Sequence, residues 1–161
     1  MTDQRFREAV ELYGDMVFRL AYSYLKNRAD AEDVMQETLL KFYVEPRGFE
    51  SPDHEKHWLL RVAANECKKL LRSPWRRRTD FLDEAAEAAA FDQPAQSELF
   101  QQVMSLPPKY RAAVYLHYYE GFSTREVGDM LHISQSAVTT RLLRARKKLK
   151  KILVEDCPYE A

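Results

Sequence analysis

Glycine is scarce in this sequence of 161 residues, with four in all, and the alternating β-branched pattern of strands is rare. The two cysteines, Cys67 and Cys157, lie far apart without CxxC spacing, which favours reduced thiols over a disulfide or a metal site. No apolar run approaches the roughly 18 residues of a membrane span, and the N-terminus lacks the apolar segment of a signal peptide. We therefore expect a helical, cytoplasmic protein with no stable membrane insertion of its own.

An excess of one charge is also missing, because 25 basic residues balance 25 acidic ones. Taken alone, this balance argues against a nucleic-acid protein, which usually has a basic excess. The distribution along the chain reverses that impression. Basic residues crowd into 61–78 and 141–151, whereas 80–98 contains acidic residues and no lysine or arginine. The neutral total therefore hides two positive surfaces and a negative connector.

Helical periodicity dominates the first half of the chain. Residues Phe6, Val10, Tyr13, Val17, Leu20 and Tyr24 recur at three- and four-residue steps and predict one buried stripe. Asp30 is the expected cap of a second helix. Ser51 followed by Pro52 predicts the start of a third, which Ser73-Pro74 ends.

The second half contains a predicted helix-turn-helix. Ser123 and Glu126 have the spacing of a capping box, a turn follows at 131–133, and Ser134 caps a long basic helix. His132 occupies the turn position usually held by glycine, a departure from the standard motif, because histidine adopts left-handed backbone geometry less easily than glycine. The leading residues of the second helix are polar and the trailing ones basic, as DNA reading requires. A solvated helix face is the alternative reading.

Two further surfaces carry candidate functions. A basic stripe, opposite an apolar face, follows Trp58 and suits single-stranded DNA: Arg61, Asn65, Lys68, Arg72. Core packing of Trp58 and simple solvation of the stripe remain alternatives. An exposed acidic face is a candidate for protein docking or for plain solvation: Asp33, Gln36, Glu37.

No catalytic set is apparent in the sequence. It lacks a phosphate-binding glycine loop, and Cys67 lies about three helical turns from His57, too far to complete a compact metal site with His54 and His57. We therefore predict no enzyme activity, no catalytic residue, no cofactor and no metal. The predicted fold class is all-α, with two small helical domains at 1–78 and 101–154 and an acidic linker at 79–100. Within that linker, 84–90 could form a short helix.

Taken in order, the segments 30–37, 57–78 and 106–149 resemble the extracytoplasmic-function (ECF) group of sigma-70-type sigma factors. The resemblance implies a region 2-like and a region 4-like domain that together bind core RNA polymerase and direct promoter recognition. The acidic face would contact the clamp coiled coil of the largest polymerase subunit. The resemblance also implies an anti-sigma partner.

The resemblance assigns DNA contacts by position. The loop at 47–55 would capture a flipped base of the −10 element, and the following helix would hold the same strand: Phe49, Arg61, Asn65, Lys68, Lys69, Arg72. The second helix of the helix-turn-helix would read the −35 element: Gln135, Ser136, Thr139, Thr140, Arg141, Leu143, Arg144, Lys147.

Three departures from the family pattern prevent a promoter preference from being copied. Ala64 stands where many members have arginine, Lys69 where many have an acidic residue, and Thr139 where a basic residue is frequent. A free-standing helix-turn-helix regulator is the alternative function. The acidic helix followed by a basic, aromatic one argues against it, because a plain regulator would carry a ligand pocket, receiver domain or dimerisation helix there.

Overall fold

The computed structural model describes residues 1–73 and 98–156, with side chains for 1–73 and 101–151. In these ranges the chain forms α-helices and no strand, which confirms the all-α prediction. Their bounds are α1 Asp3–Leu25, α2 Arg28–Val44, α3 Pro52–Arg72, α4 Glu98–Met104, α5 Pro108–Val114, α6 Thr124–Leu131 and α7 Gln135–Asp156. A π-helical turn, Tyr115–Tyr119, continues α5. None of the described helices is long and apolar enough to cross a membrane.

The N-terminal domain is a bundle of α1, α2 and α3 around a common core. Its fully buried side chains include Val17, Leu20, Phe42 and Leu59. The prediction for Val10 was wrong, because this residue is 37% exposed. The buried stripe of α1 runs through Ala9 and Tyr13, which leaves position 10 at the solvent edge.

The caps that start these helices differ from the prediction at one point. Ser51 accepts a hydrogen bond from the His54 amide, as expected of a cap before Pro52. Asp30, however, is not a cap. Asn27 takes that place and accepts from the Asp30 amide at 2.9 Å. The second helix therefore starts earlier than expected, and Asp30 lies in its first turn, where the helix dipole favours an anion.

The C-terminal domain contains the predicted helix-turn-helix, formed by α6 and α7. Both hydrogen bonds of the capping box are present between Ser123 and Glu126. His132 adopts left-handed geometry with φ 60°, as its place in the turn demands. Ser134 accepts from the Ala137 amide at 3.1 Å and caps the long helix α7.

The two domains pack against each other. The Arg111 guanidinium, which is buried, donates to the Ser23 and Tyr24 carbonyls at the end of α1 at 2.7 and 3.0 Å. Arg19 on α1 donates to the buried Tyr115 hydroxyl at 3.2 Å. The predicted linker lies largely outside the described residues, as does the possible helix at 84–90. Its last residues, from Glu98, already belong to α4.

Candidate nucleic-acid interface

An aromatic cleft opens where the loop between α2 and α3 returns to the bundle. Gly48 has a positive φ of 69°, a conformation that glycine adopts without steric cost, and the chain turns there. The next residue, Phe49, is half-buried and stacks on Phe42 with ring centroids 4.9 Å apart. Trp58 meets Phe49 edge-on at 5.4 Å. Trp58 thus packs against the core and also borders the cleft.

The cleft has a volume of about 330 Å³ and mixes rings with polar and charged groups. Its lining contains a carboxylate, two guanidinium groups, an imidazole and an amide: Glu45, Arg47, His54, Arg61, Asn65. The Glu50 amide donates to His54 Nδ1 at 3.1 Å, which fixes the imidazole at the rim. The structure thereby brings together Phe49, Arg61 and Asn65, three of the residues that the resemblance assigns to the −10 element. It adds His54, which sequence reasoning had considered only for a metal.

A basic groove of about 390 Å³ continues from this cleft, sharing Val62 and Asn65 with it. Lys41, Lys69 and Arg72 supply its cations. The Glu66 carboxylate accepts from Lys41 Nζ at 2.5 Å and from Lys69 Nζ at 3.2 Å. Partial burial opposes ionisation of Glu66, but these lysines outweigh it and hold the pKa of its carboxyl below the ordinary value. One carboxylate therefore positions two lysines, and the groove stays positive.

The opposite edge of the α3 stripe is occupied by the C-terminal domain. Arg61 Nε donates to the Asp129 carbonyl at 3.3 Å, and Lys68 Nζ donates to the Leu131 carbonyl. Lys68 is half-buried, and burial, with Arg141 and Arg72 nearby, lowers the pKa of its ammonium group. Two of the predicted −10 cations are thus engaged within the protein.

The predicted −35 residues all lie on α7. Seven of the eight are exposed, and Arg141 is half-buried. Gln135 donates to the Thr124 hydroxyl at 2.9 Å, which links the two helices of the unit. Thr139 and Thr140 donate to the carbonyls one turn back, Gln135 and Ser136, at 3.1 and 2.9 Å. Each threonine oxygen keeps lone pairs for a donor outside the protein.

The acidic face of α2 is exposed at all three predicted positions, Asp33, Gln36 and Glu37. The helix continues this face with two large apolar side chains, Leu40 at 58% and Val44 at 69% exposure. Sequence reasoning missed both. The available signal was their helical spacing from Glu37, which places them in line with a polar, exposed stripe.

Sequence reasoning also missed the residues that join the domains. Arg111 donates to the Leu106 carbonyl in its own domain as well as to the end of α1. The signal was an arginine inside the apolar run 110–116. For Arg19, Tyr115 and Glu120 no comparable signal exists, because the partners lie about a hundred positions apart. Among the described residues, no three His, Cys, Asp or Glu side chains lie close enough to hold a metal.

The fold and these surfaces define a two-domain helical factor of transcription. The family model of sigma-70 region 2 matches residues 9–77, and that of sigma-70 region 4 matches residues 96–149. The ECF sigma factor SigM of Bacillus subtilis is 30% identical, over 89% of this chain and 91% of that protein. ECF sigma factor SigE of Mycolicibacterium smegmatis is also 30% identical, and the match covers 92% of this chain but 61% of SigE.

The solved structure of the sigma factor RpoE of Bartonella quintana, in complex with the anti-sigma factor NepR, has the same fold. It superimposes with a TM-score of 0.75 at 22% identity, covering 93% of this chain and 97% of RpoE. The chain belongs to the ECF subfamily of sigma-70-type RNA polymerase sigma factors, which confirms the resemblance. It is a sigma factor that directs transcription initiation, and sigma factors are in general DNA-recognition subunits rather than enzymes.

Proposed function

We propose that this chain recruits core RNA polymerase to promoters by holding one DNA strand in its N-terminal domain and duplex DNA in its C-terminal domain. The observation that carries the proposal is the continuity of the Phe49 cleft with the basic groove on α3. A ring platform followed by cations is the arrangement that single-stranded DNA needs, because bases stack while the backbone meets positive charge. The single strand would be bound by a domain at 1–78 and the duplex by a domain at 101–154, and a linker at 79–100 would join the two domains.

The −10 strand would enter with one unstacked base against Phe49. His54 and Asn65 border that position and offer hydrogen-bonding groups to a base edge. The strand backbone would then follow the groove past Lys69 and Arg72. Arg61 and Lys68, the remaining predicted −10 cations, would join these contacts once the C-terminal domain releases them.

Helix α7 would lie in the major groove of the −35 element, with Gln135, Ser136, Thr139 and Thr140 at its leading end. Arg141 and Arg144 are the candidate base readers, because an arginine makes two hydrogen bonds to guanine. Leu143 is exposed at 45% and offers an apolar contact to a thymine methyl group. Lys147 would hold a phosphate.

The face of α2 is the proposed polymerase contact. Asp33, Gln36 and Glu37 would meet basic and polar groups of the clamp coiled coil, and Leu40 and Val44 would bury apolar area beside them. Since RpoE of Bartonella quintana forms a complex with an anti-sigma factor, we infer a partner of this kind for the present chain. We further propose that the protein acts in the cytoplasm, where its polymerase works, and catalyses no reaction.

Run-off transcription with reconstituted holoenzyme tests these roles. The templates would be promoter fragments with every base of the −35 element varied. Arg144→Ala should weaken promoter binding by about 1–3 kcal/mol and relax preference at one position. Lys147→Ala should weaken all sequences alike and lower the salt slope of binding by about one unit.

Arg146→Ala is the matched control for Arg144→Ala. Arg146 lies on the same helix and is also exposed, but its guanidinium is already paired within the protein, where it donates to the Tyr118 hydroxyl at 2.6 Å. Base preference should be unchanged in this variant. If the Arg144 and Arg146 variants behave alike, α7 does not read the −35 element as proposed. Operator binding without any effect of core polymerase would instead support the free-standing regulator, which the match to region 2 does not favour.

A further inference from the structure

Helix α7 carries two threonines whose hydroxyl hydrogens are already used inside the helix. Thr139 donates to the Gln135 carbonyl at 3.1 Å, and Thr140 donates to the Ser136 carbonyl at 2.9 Å. A hydroxyl has a single hydrogen to donate, and its lone pairs accept. A free threonine can therefore bond to either kind of base group, whereas a threonine in this state faces the outside as an acceptor alone.

Of the two threonines, Thr140 is the one that faces away from the protein. The buried side of α7 includes side chains that are at most 2% exposed: Val138, Leu142, Ala145. Because each residue turns the helix by about 100°, Thr140 lies opposite this buried side, in line with Ser136 one turn earlier. Thr139 lies about a quarter of a turn away from that line. Thr140 is therefore the better placed of the two to meet a base edge.

The neighbouring polar side chains are not restricted to accepting. Gln135 has both an amide nitrogen that donates and an oxygen that accepts. The Ser136 hydroxyl lies 3.2 Å from the Ser134 hydroxyl, and either of them can be the donor. Arg144, one turn after Thr140, has donors alone. The outward side of α7 therefore presents a fixed acceptor at Thr140 and a fixed donor at Arg144.

The major groove of DNA presents groups that such an acceptor can distinguish. Adenine and cytosine carry an amino group at the place where guanine and thymine carry a carbonyl oxygen. The Thr140 oxygen can accept from the amino group, whereas a carbonyl oxygen opposite it leaves two acceptors without a donor. Turning the Thr140 hydroxyl outward as a donor would break its bond to the Ser136 carbonyl, at a cost of about two- to tenfold in affinity. The bonded hydroxyl therefore favours bases that carry an amino group.

We propose that Thr140 is a specificity-determining residue of the −35 contact, which selects adenine or cytosine through the exocyclic amino group and disfavours guanine and thymine at the same place. This inference rests on the proposed reading of the −35 element by α7, to which it adds the chemical class of base. Thr140 and Arg144 are separated by about 6 Å along the helix axis. Since one base-pair step is about 3.4 Å, the selected base should lie within about two base pairs of the base that Arg144 reads.

The test measures binding of reconstituted holoenzyme to promoter fragments in which each −35 base pair is exchanged between A·T and G·C, with the purine kept on its strand. Wild type should prefer one of the two pairs by about tenfold at a position near the base that Arg144 reads. Thr140→Val replaces the hydroxyl by a methyl group of similar size and should bind both pairs alike. Thr140→Ser is the matched control, because it keeps the hydroxyl and should keep the preference.

A second set of fragments shows whether the hydroxyl accepts or donates. Each base pair has one amino group in the major groove. At the position that responds to Thr140→Val, the preferred pair is remade without that group, with purine in place of adenine or pyrimidin-2-one in place of cytosine. This deletion should cost wild type about tenfold in affinity and should cost Thr140→Val nothing.

Three results would each overturn the inference: wild-type base preference in Thr140→Val, loss of the preference in Thr140→Ser, or an amino deletion that costs wild type no more than it costs Thr140→Val. If Arg144→Ala still relaxes base preference when one of these is observed, α7 reads the −35 element and only the role of Thr140 is wrong. If neither wild type nor any variant distinguishes −35 sequences, the proposed reading of that element fails as well.

Discussion

The substitution Gly128→Ala should destabilise the helix-turn-helix, although alanine is the better helix former. Gly128 lies in the middle of α6, where the turn folds back over it. A Cβ atom at this position would lie 2.7 Å from the Ile133 carbonyl oxygen and 3.5 Å from the Gln135 amide nitrogen. The first distance is far inside van der Waals contact, and both neighbours are backbone atoms. The turn must therefore shift, since no side chain can move aside.

The size of the effect follows from two opposing contributions. Forcing an extra methyl group into a packed site costs about 1–3 kcal/mol. Replacing glycine by alanine inside a helix stabilises the helix by about 0.8–1 kcal/mol. The free energy of unfolding should therefore fall by about 1 kcal/mol, which lowers the melting temperature of a chain of this size by roughly 2–4 °C. The Ile133 amide also donates to the Gly128 carbonyl at 3.0 Å, so the shift disturbs the turn itself.

Gly14→Ala is the matched control. Gly14 is a buried glycine in α1, and a Cβ atom there would meet only Val10 Cγ1, at an ordinary 3.9 Å. The same substitution should therefore stabilise the protein by about 0.5–1 kcal/mol. Urea and thermal unfolding followed by far-UV circular dichroism measure both variants. If the two variants have the same free energy of unfolding, the argument that Gly128 has no room for a Cβ atom beside the turn is refuted.

Four further predictions concern the cap, the cleft and the docking face. Ser123→Ala should lower stability by about 0.5–2 kcal/mol in urea unfolding, and an unchanged midpoint would mean that the cap contributes nothing. The Ser123 amide, with His57 nearby, holds the pKa of Glu126 below its ordinary value. This stabilisation is complete above the unfolded pKa of about 4.3 and is lost as the pH falls through the lower folded value, so Glu126→Gln should flatten that acid slope. Phe49→Ala should weaken binding of a −10 oligonucleotide by about 1–3 kcal/mol in a fluorescence titration, whereas equal affinity would exclude stacking on this ring. Glu37→Lys should reduce affinity for core polymerase in a pull-down titration while changing stability by less than about 0.5 kcal/mol; normal core affinity would contradict the docking assignment.

The sequence alone was sufficient to locate the three helices of the N-terminal domain and the helix-turn-helix. A capping box at Ser123 and Glu126, and a helix start at Ser51-Pro52, depend on residues within one turn of each other. Such local hydrogen bonds form in the same way wherever the helix is placed. The misplaced cap at Asp30 shows the limit of this approach. Asn27 and Asp30 are residue types that cap helices equally well, so the sequence did not decide at which of the two α2 begins. Helical spacing likewise grouped Arg61, Asn65, Lys68 and Arg72 on one stripe.

The tertiary structure decided which parts of that stripe are open. Spacing cannot reveal that Arg61 and Lys68 donate to backbone carbonyls of the other domain while Arg72 borders an open groove. The partners of Arg111 and the Arg19–Glu120 pair likewise could not be read from the sequence. The physical reason is the range of the interactions: periodicity reports on residues three or four positions apart, whereas these contacts join residues from 63 to 101 positions apart. These contacts form only when the two folded domains pack against each other, and the shape and charge of their whole surfaces determine that packing.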